Sequence, residues 1–145
     1  MQKIYFHSAD RVFRFNSKTP LKSFIQRLFL LENQNLENLH YIFCSDDYLL
    51  QINKDFLKHD YYTDIITFNL SDNSKVVAGE VYISIDRVKE NALLQKSPYN
   101  EECLRVIFHG ALHLCGYNDK TKKEITIMRE KENEYLQLYL KSNPH

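Results

Sequence analysis

The chain has little of what divides, staples or anchors a protein. Its 145 residues include three prolines, Pro20, Pro98 and Pro144, too scattered to form a linker. No internal repeat or low-complexity stretch interrupts it. One domain spanning 1–145 is expected, at ordinary domain size. A chain of this length buries about two-thirds of its unfolded surface and folds without a staple. Cys44, Cys103 and Cys115 are odd in number and form no CxxC pair. That argues against a disulfide framework and for reduced thiols. No run of about 18 apolar residues occurs, so no transmembrane helix is expected. The first residues, Met1-Gln2-Lys3-Ile4-Tyr5-Phe6-His7, offer neither a long apolar core nor a small-residue cleavage site. No secretory leader is read, and a cytoplasmic location without membrane contact is expected.

Net charge is absent as well: 19 Lys+Arg balance 19 Asp+Glu. Bulk charge therefore does not suggest a strongly basic nucleic-acid binder. The distribution is uneven. Residues 1–30 hold Lys3, Arg11, Arg14, Lys18, Lys22 and Arg27 against Asp10, whereas residues 31–80 are acidic. The basic segment reads either as a solvated face or as a local anion-binding patch. Hydrophobic residues at 43% and charged residues at 26% are globular values, incompatible with a disordered chain, a collagen or a coiled coil.

The periodicities predict an α+β domain. Residues 2–6 alternate as a strand. Ser17-Lys18-Thr19-Pro20 starts a helix carrying Leu21, Phe24, Ile25, Leu28 and Leu31 at helical spacing. Residues 39–44 read as a strand, and Ser45-Asp46-Asp47 caps a helix to about Leu57. Residues 64–70 and 76–85, separated by the turn cluster Ser71-Asp72-Asn73-Ser74, read as an antiparallel hairpin. Asp86 is expected to cap a short helix to about Leu94. Further helices are expected from Pro98–Asn100 to Gly116 and over 121–140. The architecture predicted is a mixed sheet of about four strands packed with several helices.

The helix over 100–115 is apolar nearly all round and so is expected to be buried. Its polar residues Glu102, Arg105, His109 and His113 recur every three or four positions and share one stripe. Such a stripe is either a satisfied hydrogen-bonded network or the lining of a site. His109 and His113, at i and i+4, lie about 40° apart around the axis and suit two ligands of one metal. Gly116 can end the helix in a left-handed turn, and Asp119 follows. His109-x-x-x-His113-x-x-Gly116-x-x-Asp119 has the zinc-ligand spacing of the metzincin peptidases. Three N/O ligands leave a fourth position open, the pattern of a catalytic zinc. Cys115 lies about 200° around the helix from His113 and is not expected to ligate. Zinc peptidases place a Glu directly after the first histidine. Gly110 stands there, so peptidase chemistry lacks its base.

The string His109-Gly110-Ala111-Leu112-His113-Leu114-Cys115-Gly116-Tyr117 resembles the signature of the YbeY-type endoribonucleases, bacterial rRNA maturation factors. Ile52-Asn53, Thr63-Asp64-Ile65-Ile66-Thr67-Phe68, Ala78-Gly79-Glu80-Val81-Tyr82-Ile83-Ser84, and Met128 with Glu132 resemble further segments of that family. The resemblance covers about residues 45–140. It implies a zincin-like metal helix and one zinc per chain held by His109, His113 and Asp119. It also implies a single-strand-specific endoribonuclease acting in late 16S rRNA 3′-end maturation and ribosome quality control. The partners implied are rRNA and the small ribosomal subunit, with no DNA. Asp119 stands where many members have His, and Asn118 where they have Asp. The family's phosphate-contacting Arg falls at Leu57, so Lys58 or Arg105 is the candidate to replace it. Arg105 also reads as an ion-pair partner of Glu102, and Thr63-Asp64 as a plain strand start. Tyr61, Tyr62 and Phe68 read either as base-stacking groups or as core. Zinc is favoured by the donor set, with nickel and manganese compatible. The alternative function is an rRNA-binding assembly factor with a structural metal; a small-molecule or peptide hydrolase comes third.

Overall fold

The computed structural model describes residues 2–143. Met1, Pro144 and His145, and with them the ends of the expected domain 1–145, lie outside the described residues. The order of elements is β1 (Ile4–Ser8), α1 (Lys18–Leu31), β2 (Leu36–Cys44), α2 (Asp46–Leu57), β3 (Ile65–Asn69), β4 (Val77–Ser84), α3 (Ile85–Gln95), α4 (Tyr99–Leu114) and α5 (Lys122–Ser142). The four strands form one sheet in the order β1-β2-β4-β3. β1, β2 and β4 run parallel, while β3 pairs antiparallel with β4, with Ile65 opposite Ile83 and Asn69 opposite Gly79. The α+β class, the mixed four-stranded sheet and the hairpin agree with the sequence pattern.

Alternation decides which side of each strand is buried. Leu39, Tyr41 and Phe43 of β2 and Val77, Val81 and Ile83 of β4 point to one face. There they join Leu21, Ile25 and Leu28 of α1, Ile107, Phe108 and Ala111 of α4, and Leu136 and Tyr139 of α5 in the main core. On the opposite face α2 covers a smaller cluster of Cys44, Leu49 and Ile66. No described helix is long and apolar enough to cross a membrane. The three cysteines are free. Burial pushes the Cys115 thiol up to about 12, and its side chain packs against the main core.

Two details of capping set the entry of chain into the site. Ser45 caps α2 as expected, its hydroxyl accepting from Tyr48 N at 3.1 Å. Asp86 does not cap α3. Ser84, the last residue of β4, is the extended residue before the helix, and its hydroxyl accepts from Arg87 N at 3.1 Å. The helix leaves the strand with no loop, which places Asp86 inside the first turn, where it pairs with Arg11 at 3.1 Å.

Candidate metal centre

The α4 helix lies close against the sheet because of one residue. A Cβ at Gly110 would meet Val81 Cγ1 at 2.8 Å and Ile65 Cδ1 at 3.2 Å. The position where zinc peptidases carry their glutamate therefore has no room for a side chain. From the sheet side, the buried Tyr41 hydroxyl of β2 donates to the Ile107 carbonyl at 2.8 Å and pins the same helix. These contacts hold His109 and His113 at a fixed height beside β3.

The end of α4 brings in the third donor. Gly116 has φ +107°, and Gly116 N and Tyr117 N bond back to His113 O and Leu112 O at 3.0 and 3.1 Å. These are the two reversed bonds of a Schellman turn, which needs the left-handed residue glycine supplies. The chain folds back, and Asp119 Oδ2 comes to 3.2 Å from His109 Nε2 and 3.3 Å from His113 Nε2. His109, His113 and Asp119 each offer one ligand atom, all within 4.8 Å of one another. A tetrahedral zinc with bonds of about 2.0–2.1 Å holds its ligand atoms about 3.3–3.4 Å apart. The donors present fit such an ion in type, and the two separations to Asp119 match that spacing.

The tautomer of His109 is set from behind. Glu132 of α5 is only 6% exposed, and its Oε2 accepts from His109 Nδ1 at 2.6 Å. An ionised carboxylate can only accept, so the proton sits on Nδ1 and the Nε2 lone pair faces Asp119 and His113. Glu132 Oε1 also accepts from Arg105 Nη1 at 3.1 Å. Burial pushes the Glu132 carboxyl up, yet the hydrogen bond and charge of His109, the hydrogen bond of Arg105 and the charge of Arg129 outweigh it and hold it below the ordinary glutamate value. Burial lowers His109 likewise, but Glu132 outweighs that and leaves it raised. His113 is lowered, by burial first and by its neighbour His109 second. Asp64 and Glu102 are both raised by burial.

These groups open onto a cleft of about 880 Å³. The whole predicted stripe of Glu102, Arg105, His109 and His113 lines it, with Asp119, and so does Leu57, the position of the family's arginine. Lys58 does not. It is the left-handed C-cap of α2, with φ 58°, and its Nζ donates to the Asp55 carbonyl at 3.2 Å. Arg105 makes its ion pair with Glu132 across the helices. Sequence reasoning assigned no role to Glu132, nor to Lys120 and Arg129 of the lining. The signal for Glu132 was present: it shares a buried stripe of α5 with Met128, Tyr135, Leu136 and Tyr139, where an acid needs a partner. Tyr61 and Tyr62 are exposed, Tyr61 lining the cleft, whereas Phe68 packs on the smaller core.

A sequence model of the family Endoribonuclease YbeY matches residues 6–140. The chain belongs to the YbeY family. It is 47% identical over 137 residues to Endoribonuclease YbeY of Cytophaga hutchinsonii, covering 94% of this chain and 96% of that protein. It is 43% identical over 127 residues to the Flavobacterium psychrophilum protein of the same name, covering 88% and 90%. Among solved structures, the solution structure of TM1509 from Thermotoga maritima matches with a TM-score of 0.60 and 27% identity, covering 99% of this chain and 94% of that one. The YbeY match spans the three donors, Glu132 and the whole sheet from Phe6 onward.

Proposed function

We propose that the protein is a metal-dependent endoribonuclease that hydrolyses phosphodiester bonds in single-stranded RNA. It holds one zinc per chain through His109, His113 and Asp119. Its role is the late maturation of 16S rRNA 3′ ends on the small ribosomal subunit in the cytoplasm. The observation that carries the reading is the cluster of three donor atoms within 4.8 Å of one another, set inside a cleft of about 880 Å³. The YbeY membership supplies the substrate class. A bound zinc supplies a Lewis acid and a water of lowered pKa.

The chain's own residues do the rest. Glu132 holds the His109 ring in its ligating tautomer. Arg105 spends one nitrogen on Glu132, and the other donors of its guanidinium are free to meet a phosphoryl oxygen where charge develops. Lys58 stands outside the lining, its Nζ held by the Asp55 carbonyl. Tyr61 lines the cleft with an exposed ring, stacked on His59 at 5.2 Å between centroids; an unpaired base stacks on such a face. An assembly factor with a structural metal is not favoured, since three protein donors leave a coordination position open.

The test has two parts. Elemental analysis of protein purified without chelator is expected to find one zinc per chain. A labelled rRNA 3′-end fragment is expected to be cut at least ten times faster single-stranded than annealed to its complement. Arg105→Ala is expected to lower kcat by about 100-fold with zinc retained, the scale of one lost transition-state donor. Equal cutting of the duplex contradicts the substrate reading, and an unimpaired Arg105→Ala contradicts the role of Arg105.

A further inference from the structure

The cleft runs along an unpaired strand edge. β3 is the last strand of the sheet and pairs only with β4. Thr63, Asp64, Ile65, Ile66, Thr67 and Asn69 all line the cleft. Two bonds fix the phase of the antiparallel ladder: Ser84 N to Asp64 O at 3.0 Å and Leu70 N to Ala78 O at 2.8 Å. Residues 64, 66, 68 and 70 thus turn their peptide groups toward β4. Ile65, Thr67 and Asn69 turn theirs the other way, to the free edge. The Ile65 carbonyl accepts from the Thr63 hydroxyl at 3.4 Å. Among the described residues, the N–H groups of Ile65, Thr67 and Asn69 have no acceptor.

The edge also runs past the metal donors. Ile65 packs at the level of Gly110, next to His109, and Phe68 O lies where Gly79 meets Leu114, next to His113. Natural edges are blunted by proline, lysine or a covering segment. β3 reads Ile-Ile-Thr-Phe-Asn and carries neither proline nor lysine. Alternate residues place the three donors about 6.8 Å apart along the strand. The side chains of the lining include Arg105, Lys120 and Arg129 against Asp64, Glu102, Asp119 and Glu132, so they do not by themselves attract a polyanion. Backbone N–H groups bind phosphate without a formal charge. At Ile65 the edge offers a donor whose companion carbonyl is already engaged by the Thr63 hydroxyl, which suits a phosphate there, while the Thr67 and Asn69 carbonyls face the same edge beside their N–H groups.

We propose that the free edge of β3 is the track for the RNA backbone. The amides of Ile65, Thr67 and Asn69 donate to phosphate oxygens of a single strand lying across the metal centre. The inference rests on the ribonuclease reading above and adds the subsite that holds the strand.

The test is an amide NMR titration of the zinc-loaded, ¹⁵N-labelled protein with a 2′-O-methyl uridine octamer. The amides of Ile65, Thr67 and Asn69 are expected to shift saturably, at least three times more than the inward amides of Ile66 and Phe68. Thr67→Pro removes one outward N–H and no ladder bond, the placement an edge strand tolerates. It is expected to weaken octamer binding about tenfold, the loss of one hydrogen bond to a charged group. Thr67→Val keeps the amide and is expected to bind within twofold of wild type. If the octamer binds but the outward amides stay still, or Thr67→Pro binds like wild type, the track is wrong and the ribonuclease reading stands. If an extended peptide moves these amides and the octamer does not, the edge is a peptide site and the proposal falls. If the octamer does not bind and unmodified RNA is not cut, the ribonuclease reading itself fails.

Discussion

Glu132 is not one of the three donors, yet it decides what His109 can do. Its carboxylate accepts a hydrogen bond from Nδ1–H and so aims Nε2 at the site. Carboxylates behind ligating histidines are worth about 10–100-fold in metal affinity. Glu132→Gln is therefore expected to weaken zinc binding by about that factor, read by competition with a chromophoric chelator. Unchanged affinity would mean that packing alone orients the ring. At this scale the sequence was most legible where the site is local. His109, His113, Gly116 and Asp119 fall within one helix and its turn, so spacing alone brought them together. Glu132 is 23 residues from His109, and no local pattern states which helix faces which. Lys58 shows the opposite limit. It neighbours Leu57, which lines the cleft, but the left-handed turn at the helix end sends its side chain to Asp55 instead.

Helix α4 packs its apolar side chains against the sheet and the neighbouring helices and turns its polar stripe to the cleft. Gly110 is the contact that sets its distance from the sheet, with no room for a methyl group against Val81. Overpacking a tight core contact costs about 1–3 kcal/mol. Gly110→Ala is expected to lower Tm by several degrees, since about 1 kcal/mol shifts a domain of this size by about 2–4 °C. It is also expected to push the histidines away from β3. An unchanged melting curve would show that helix and sheet separate freely. The element types were legible from periodicity, including the hairpin and the buried α4. The strand order was not, because it depends on crossovers between segments far apart in the chain. With it, the free edge of β3 beside the donor cluster was invisible. The Asp86 cap was misplaced for a related reason: an N-cap needs extended backbone, and β4 runs on to Ser84.

Helices α1 and α5 and the turn before Asp119 are tied together by one acid at the end of α1. Glu32 accepts from the Tyr117 hydroxyl at 2.7 Å, from the Tyr135 hydroxyl, and from Lys131 Nζ at 3.2 Å. It thus joins α1 to the turn before Asp119 and to the helix that carries Glu132. Burial pushes the Glu32 carboxyl up, but Tyr135, Tyr117 and Lys131 outweigh it and leave it below the ordinary glutamate value. A lowered carboxylate contributes stability above its unfolded pKa of about 4.3 and loses it as pH falls through the folded value. Glu32→Gln is expected to be less stable than wild type by about 2 kcal/mol at pH 7, the scale of hydrogen bonds to a charged group. That gap is expected to close below about pH 4. Melting curves of both proteins from pH 3 to pH 8 check it; a gap independent of pH would assign the loss to packing.

The metal-centre reading requires that RNA cleavage depend on an ion held by His109, His113 and Asp119. Cleavage of a labelled rRNA 3′-end fragment by wild type and His113→Ala, purified identically, with and without a chelator, tests it. Wild type is expected to cut, the chelated sample and the variant are not, and added zinc is expected to restore only the former. Equal cutting by wild type and His113→Ala would contradict it, and so would an inactive wild type that carries one metal and binds the fragment.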